Sequence, residues 1–210
     1  MVVINSNCLI FDFDGIILES LDIKTEAFVD TFKEHGPRVC SLVRSHHMAN
    51  GGVSRFEKIP FYLREYCKVE VNESRVSQYL EKFEENVGQR IIEASLVPGV
   101  LSFIKKYSQS YDLYISSGTP QVELNNILVN RGLQKYFVQA YGSPQTKFTH
   151  CDDIFARGYS KESSYFFGDA ESDLRAAEYA GIKFVGRYTT WPGVTEADIV
   201  IKDFLDFNLE

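Results

Sequence analysis

Two carboxylates, Asp12 and Asp14, stand two residues apart in Asp12-Phe13-Asp14-Gly15, directly after the apolar run Cys8-Leu9-Ile10-Phe11. Side chains at i and i+2 share one face of a strand, but a turn at Gly15 lets the second carboxylate swing to the other side of a bound group. Two anions this close call for a cation. A second acidic set, Gly168-Asp169-Ala170-Glu171-Ser172-Asp173, follows another apolar run and opens a helical pattern. Its Asp169 and Asp173 are four apart, which puts them on one helix face or at its mouth. Taken singly, each set is also what an Asx turn or an acidic first helical turn contains. At the ends of neighbouring parallel strands, however, the two sets would converge into an oxygen-rich site suited to Mg²⁺, a hard cation that takes one or two carboxylates and keeps several waters. Ser116, at the end of a further apolar run, and Lys147 add a hydroxyl and an ammonium, the groups that hold phosphate oxygens and offset charge during transfer.

These residues need elements to carry them. Residues 8–13, 111–117, 164–169 and 183–186 are short apolar runs stopped by small or polar residues, as buried parallel strands are. Helical patterns over 100–108, 121–130, 149–157 and 171–180 separate or follow them. From residue 96 onward the alternation predicts a doubly wound parallel α/β sheet, with ligand chemistry at the carboxyl ends of the strands. Residues 21–95 break the pattern with helix-like stretches at 21–34, 39–48, 54–66 and 73–94 and predict an all-helical insert. The expected division is a core of residues 1–17 and 95–210 and a helical cap of residues 18–94.

With 210 residues, the chain is long enough for one large domain, or for a core with a modest insert. Its net charge of −7 and its lack of a basic block argue against nucleic acid and against an anionic membrane surface. No apolar run approaches the length of a membrane span. The start Met1-Val2-Val3-Ile4-Asn5-Ser6-Asn7 has no basic region ahead of an apolar one, so a cytoplasmic location is expected. Cys8, Cys40, Cys67 and Cys151 lack metal-ligand spacing and read as free thiols.

In chain order the chemical residues resemble the motif set of the haloacid dehalogenase superfamily: DxDG at Asp12–Gly15, Ser116 in Ile115-Ser116-Ser117-Gly118-Thr119-Pro120, then Lys147, then GDxxxD at Gly168–Asp173. Val97-Pro98-Gly99-Val100 is similar to the Pro-Gly that marks the return to the core in the subgroup with a cap inserted after the first strand, the phosphoglycolate phosphatase and beta-phosphoglucomutase-like proteins. The resemblance implies a Rossmann-like core, a cap of four or five helices and Mg²⁺-dependent phosphoryl transfer. It makes Asp12 the nucleophile that forms an aspartyl phosphate, and Asp14 the acid that protonates the leaving alcohol and then the base that activates water. By the same resemblance Asp169 binds Mg²⁺ with a carboxylate oxygen of Asp12 and the backbone carbonyl of Asp14, Asp173 acts directly or through water, and Ser116 and Lys147 steady the phosphoryl group. Gly15, Glu19, Ser117, Gly118 and Arg55 are expected to border the substrate.

The sequence departs from the pattern at Ile16, where Thr or Val is usual, at Glu19-Ser20 for Asp-Ser, at Ser117 for a common Asn, and at Phe148 for the Pro that often follows the lysine. Asp14 speaks against a dehalogenase and against a phosphonate-cleaving enzyme. A phosphatase acting on a small phosphorylated metabolite is the expected function, with a phosphomutase and a non-catalytic phosphate-binding regulator as alternatives. The Gly51-Gly52 loop of the insert could bend over the core and deliver Arg55, Lys58, His46 or His47 to a second polar or anionic group. Phe56, Phe61, Tyr62 and Tyr66 have a spacing that suits packing of the cap helices. The expected partner is the small metabolite alone, with the protein a monomer or homodimer.

Overall fold

A computed structural model describes residues 7–189 and 191–209. Among them, six strands form one parallel sheet: β1 (Cys8–Phe11), β2 (Asp112–Pro120), β3 (Gln139–Ser143), β4 (Tyr165–Gly168), β5 (Lys183–Arg187) and β6 (Ile199–Ile201). The spatial order β3-β2-β1-β4-β5-β6 places β1 at the centre. The chain therefore winds outward on one side of β1 through β2 and β3, then returns to the other side at β4. This reversal opens a crevice at the carboxyl ends of β1 and β4, the place where doubly wound sheets bind ligands.

Period-two alternation explains why β1 reads as an unbroken apolar run. Leu9 and Phe11 pack on one face of the sheet with Ile115 and Phe167, and Cys8 and Ile10 pack on the other with Tyr114 and Phe166. Helix α5 (Val100–Tyr107) brings Phe103 to the first face, where α6 (Gln121–Asn130) adds Leu124 and Ile127. Helices α7 (Lys147–Phe155) and α8 (Glu171–Ala180) cover the second with Cys151, Ile154, Ala176 and Ala177.

Between β1 and α5 lie only helices: α1 (Leu21–Thr31), α2 (Pro37–Ala49), α3 (Arg55–Glu65) and α4 (Glu73–Glu93), with a short 3₁₀ turn at Lys33–His35. Helix α4 is broken at Gly88, whose φ of 25° lies outside the helical region. The chain leaves and re-enters the sheet side by side: Leu18 bridges Leu96, the Glu19 amide donates to the Ser95 carbonyl at 2.9 Å, and the Val97 amide donates to the Ile17 carbonyl at 3.0 Å. The apolar core runs on through this crossing without a gap, from Phe11 to Phe28, Phe32 and Tyr62.

Several boundaries differ from the sequence expectation for local reasons. Strand β1 stops at Phe11, because the Asp12 amide makes the last ladder bond to Phe167 and the Phe13 carbonyl then accepts from Ile17 and Leu18 in a turn. Strand β2 runs on to Pro120, with a register shift between Ser116 and Pro120. Strands β3 and β6 were not expected. Gln139-Ala140-Tyr141-Gly142-Ser143 carries glycine and few β-branched residues, and Ile199-Val200-Ile201 is short, so propensity signals neither. Both pair as outer strands of a sheet already formed.

Candidate active site

The DxDG run leaves the end of β1 and the GDxxxD run leaves the end of β4, so the crevice between these neighbours receives both. One carboxylate oxygen each from Asp12, Asp169 and Asp173 lies within 4.8 Å of the others, and all three residues are buried. Helix α7, whose N-cap Thr146 hydroxyl accepts from the Thr149 amide, starts at Lys147 and aims that side chain into the cluster. The Lys147 ammonium lies 3.1 Å from Asp12 Oδ1 and makes a closer ion pair with Asp173.

Each carboxylate is engaged differently. Asp12 Oδ1 accepts from the Phe13 amide at 2.7 Å as well as from Lys147, while Oδ2 is left open. Asp173 Oδ2 accepts from the Asp169 and Ala170 amides at 3.2 and 3.1 Å, and its Oδ1 is taken by Lys147, so this residue braces the turn and the lysine. Among the described residues, the Asp169 carboxylate accepts from the Thr189 hydroxyl alone, at 3.3 Å. Burial, and next the charge of Asp173, push the Asp12 carboxyl up to about 7 against the pull of Lys147. Burial, then Asp12 and Asp173, raise Asp169 well above the usual carboxylate range. Burial alone would lower Lys147, but Asp12 and Asp173 hold it above its ordinary value. Three buried carboxylates against one ammonium leave an excess of negative charge that a divalent cation would relieve, and the all-oxygen donor set with open Asp12 and Asp169 oxygens fits Mg²⁺.

Asp14 points away from this cluster, as the turn at Gly15 (φ 77°) permits. Its carboxylate accepts from the Ser20 hydroxyl at 2.6 Å and the Thr119 hydroxyl at 3.1 Å, and it pairs with Lys24, which also donates to Thr119 at 2.8 Å. Burial would raise this carboxyl, but the Lys24 ammonium and the two hydroxyls hold it below the ordinary value. A Cβ on Gly15 would stand 2.5 Å from Asp169 Oδ2, so the absence of a side chain there lets the two motif loops touch.

Ser116 is buried in the middle of β2, just before its register shift, with its Oγ 2.8 Å from His150 Nδ1. Burial, and then the charge of Lys147, bring His150 down to about 4, so the ring is neutral. The Ser117 hydroxyl accepts from the Thr119 amide, and Gly118 lies under the Gly51-Gly52 loop. That loop sits on the core. The Ser172 hydroxyl donates to the Gly51 carbonyl at 3.1 Å, and a Cβ on Gly118 would approach the Gly52 carbonyl to 2.3 Å. Between loop and sheet lies a cavity of about 320 Å³ bordered by Asp14, Asp169 and Gly118 of the core and by Lys24, Lys58 and Arg55 of the insert. Glu19 borders it too, paired with Arg187 at 2.6 Å, and Arg187 also donates to the Gly15 carbonyl at 2.7 Å. Arg55 is buried with its guanidinium over the Phe83 ring and 2.7 Å from Glu123, so its charge is already matched.

Lys24, Thr119, His150 and Arg187 were missed in the sequence. A lone lysine on a helix reads as a solvated charge, and nothing local shows that the first turn of α1 abuts the Asp14 loop. His150 had a readable signal. With α7 starting at 147, Lys147 and His150 lie three apart on one face, whereas a start at 149 separates them.

The model of the haloacid dehalogenase-like hydrolases matches residues 9–187. No curated protein matches the chain as a sequence relative. Among solved structures, a beta-phosphoglucomutase from Clostridium difficile is 18% identical with a TM-score of 0.78, over 98% of this chain and 94% of that one. A predicted phosphoglycolate phosphatase from Haemophilus somnus is 18% identical with a TM-score of 0.73, over 98% and 97%. A haloacid dehalogenase-like family hydrolase from Streptococcus pneumoniae is 19% identical with a TM-score of 0.72, over the same shares. At these identities the likeness is one of fold, and it extends over insert and sheet alike. No described helix is long and apolar enough to cross a membrane.

Proposed function

The chain belongs to the haloacid dehalogenase-like hydrolases, and we propose that it is a cytoplasmic, Mg²⁺-dependent phosphatase that hydrolyses a small phosphorylated metabolite through an aspartyl phosphate on Asp12. The observation that carries this reading is the convergence of Asp12, Asp169 and Asp173 with Lys147 at the sheet's switch point. Asp12 supplies the attacking carboxylate oxygen, and the Phe13 amide and Lys147 at its Oδ1 fix the carboxylate for in-line approach. Asp12, Asp169 and the backbone carbonyl of Asp14 would hold Mg²⁺, with Asp173 behind them. Bound there, the ion would supply charge stabilisation for the phosphoryl oxygens. Lys147 and the Ser116 hydroxyl, oriented by His150, bind the remaining phosphoryl oxygens. Asp14, ionised while Lys24 holds it, takes a proton from the water that opens the aspartyl phosphate, and protonates the leaving alcohol only when released from that pair. Glu19, Gly118 and Arg55 border the cavity, whereas Gly15 and Ser117 are buried and do not line it. The cavity of about 320 Å³ suits a small metabolite.

The test is release of inorganic phosphate from a panel of phosphomonoesters with Mg²⁺ and with a chelator in its place. Asp12→Asn removes the attacking oxygen and abolishes release while circular dichroism stays unchanged. Turnover by that variant, or silence of the folded wild-type protein across the panel, overturns the reading. Isomerised phosphate ester without free phosphate would instead assign a phosphomutase.

A further inference from the structure

Lys58 is a buried cation without an anion. It projects from the first turns of α3, is only 2% exposed and borders the cavity. Its ammonium lies 3.0 Å from Nδ1 of His47 on α2 and 5.7 Å from the centroid of the Phe28 ring. The other buried basic side chains at the cavity and beneath it have carboxylates: Lys24 has Asp14, Arg55 has Glu123, and Lys147 has Asp12 and Asp173. Among the described residues no carboxylate pairs with Lys58. A buried ammonium is costly unless paired, and an imidazole lone pair offsets little of that cost. Burial, then the repulsion of Lys24, bring Lys58 down to about 7, with Asp14 pulling the other way. Burial and the adjacent Lys58 keep His47 neutral, so its Nδ1 accepts a hydrogen bond from the ammonium and aims it.

Resting on the phosphatase reading, we propose that Lys58, oriented by His47, is an anion subsite in the wall of the cavity that Asp14 and Asp169 also border, and that the substrate carries a second anionic group, a carboxylate or a second phosphoryl, on its tail. The transferring phosphoryl group is balanced by Lys147 and by the cation that the aspartate cluster invites, which leaves Lys58 for a different anion. Asp14, Asp169 and Lys58 border the same cavity, so one small molecule placed there can meet both the motif loops and the ammonium. The cavity has room for about ten waters, hence for a tail of few atoms. Lys58 is the better candidate than Arg55 for reading that tail, because Glu123 already answers the arginine. The ammonium is a compact point charge and takes a single oxygen of either group.

Inert phosphonates test the subsite independently of turnover. Calorimetric affinities in Mg²⁺ buffer are measured for phosphonoacetate against ethylphosphonate, and for 1,3-propanebisphosphonate against propylphosphonate. The wild-type protein favours the tail-charged member of at least one pair by roughly ten- to a hundredfold, the range of a charge-assisted hydrogen bond. Which pair shows the preference distinguishes a carboxylate from a phosphoryl tail. In Lys58→Met and Lys58→Gln the preference falls to within about twofold, as expected once the charge that reads the tail is gone, while ethylphosphonate affinity and the melting temperature are retained. The two variants bracket the fold, since Met removes the buried charge and Gln keeps a polar partner for His47. Equal affinities within each pair for the wild-type protein overturn the proposal. So does an undiminished preference in the variants, or a loss of melting temperature without loss of preference, which would make Lys58 a structural cation. A preference that Lys58 controls, in a protein that hydrolyses no ester, would sustain the subsite and overturn only the phosphatase reading.

Discussion

Asp14 is gripped by Lys24, Ser20 and Thr119, and this grip decides its charge. Its carboxyl titrates below the ordinary carboxylate value, so the folded state binds its proton less readily than the unfolded chain does. The sign follows: the pair contributes stability above the unfolded value of 3.8, and that contribution is lost as pH falls through the depressed folded value. Lys24→Met leaves Asp14 buried without its cation and costs on the order of 3 kcal/mol. Thermal melts from pH 3 to pH 7 will show the wild-type advantage over the variant largest at neutral pH and shrinking on acidification. A gap between the two proteins that widens toward low pH would contradict the pairing. The same substitution raises the Asp14 carboxyl, so the acid limb of kcat/KM moves to higher pH wherever ionised Asp14 serves as base.

Between elements, the decisive contact is loop on loop. Gly52 (φ 74°) and Gly118 meet backbone to backbone, and Ser172 at the start of α8 holds the Gly51 carbonyl. A methyl group at 118 would stand 2.3 Å from the Gly52 carbonyl, an atom that no side-chain rotation can move aside. Gly118→Ala therefore lifts the insert's loop off the sheet. Misplacement on that scale costs about 10²-fold in kcat/KM. Steady-state kinetics on a substrate found in the phosphomonoester panel will show this loss with the fold retained in circular dichroism, whereas unchanged kinetics would mean that the loop is not closed during turnover.

Across the molecule, one apolar core links sheet and insert, and its pivot is Phe11. The ring stacks on Phe167 at 4.7 Å and meets Phe103 and Phe137 edge-on at 6.2 Å. Phe11 also immediately precedes Asp12, so the packing of the central strand sets where the first carboxylate emerges. Phe11→Ala removes a fully buried ring from this stack and lowers stability by about 3–5 kcal/mol. Urea unfolding measures it as a fall in midpoint, and a change below 1 kcal/mol, well short of the typical core range, would show that the aromatic stack does not carry the core.

The local code was legible wherever one element's own residues suffice. The apolar runs that became β1 and β4, the helices Gln121–Asn130 and Glu171–Ala180, and the acidic motifs at two strand ends all follow from periodicity and turn chemistry. The outer strands were not legible, because β3 and β6 owe their extension to neighbours that propensity does not see. Nor could spacing pair Lys24 with Asp14, match Arg55 to Glu123, or leave Lys58 without a carboxylate. Whether a charge is answered depends on which groups the winding of the chain brings within a few ångströms. Residues 34 to 105 apart, such as Ser116 with His150 and Asp14 with Thr119, become partners only once the sheet has ordered its strands. Residue types and their local spacing thus determined the elements and the kind of chemistry they carry, and three-dimensional proximity decided which cations are spent and which remain for a ligand, because Coulomb interactions fall off with distance through space and take no account of distance along the chain.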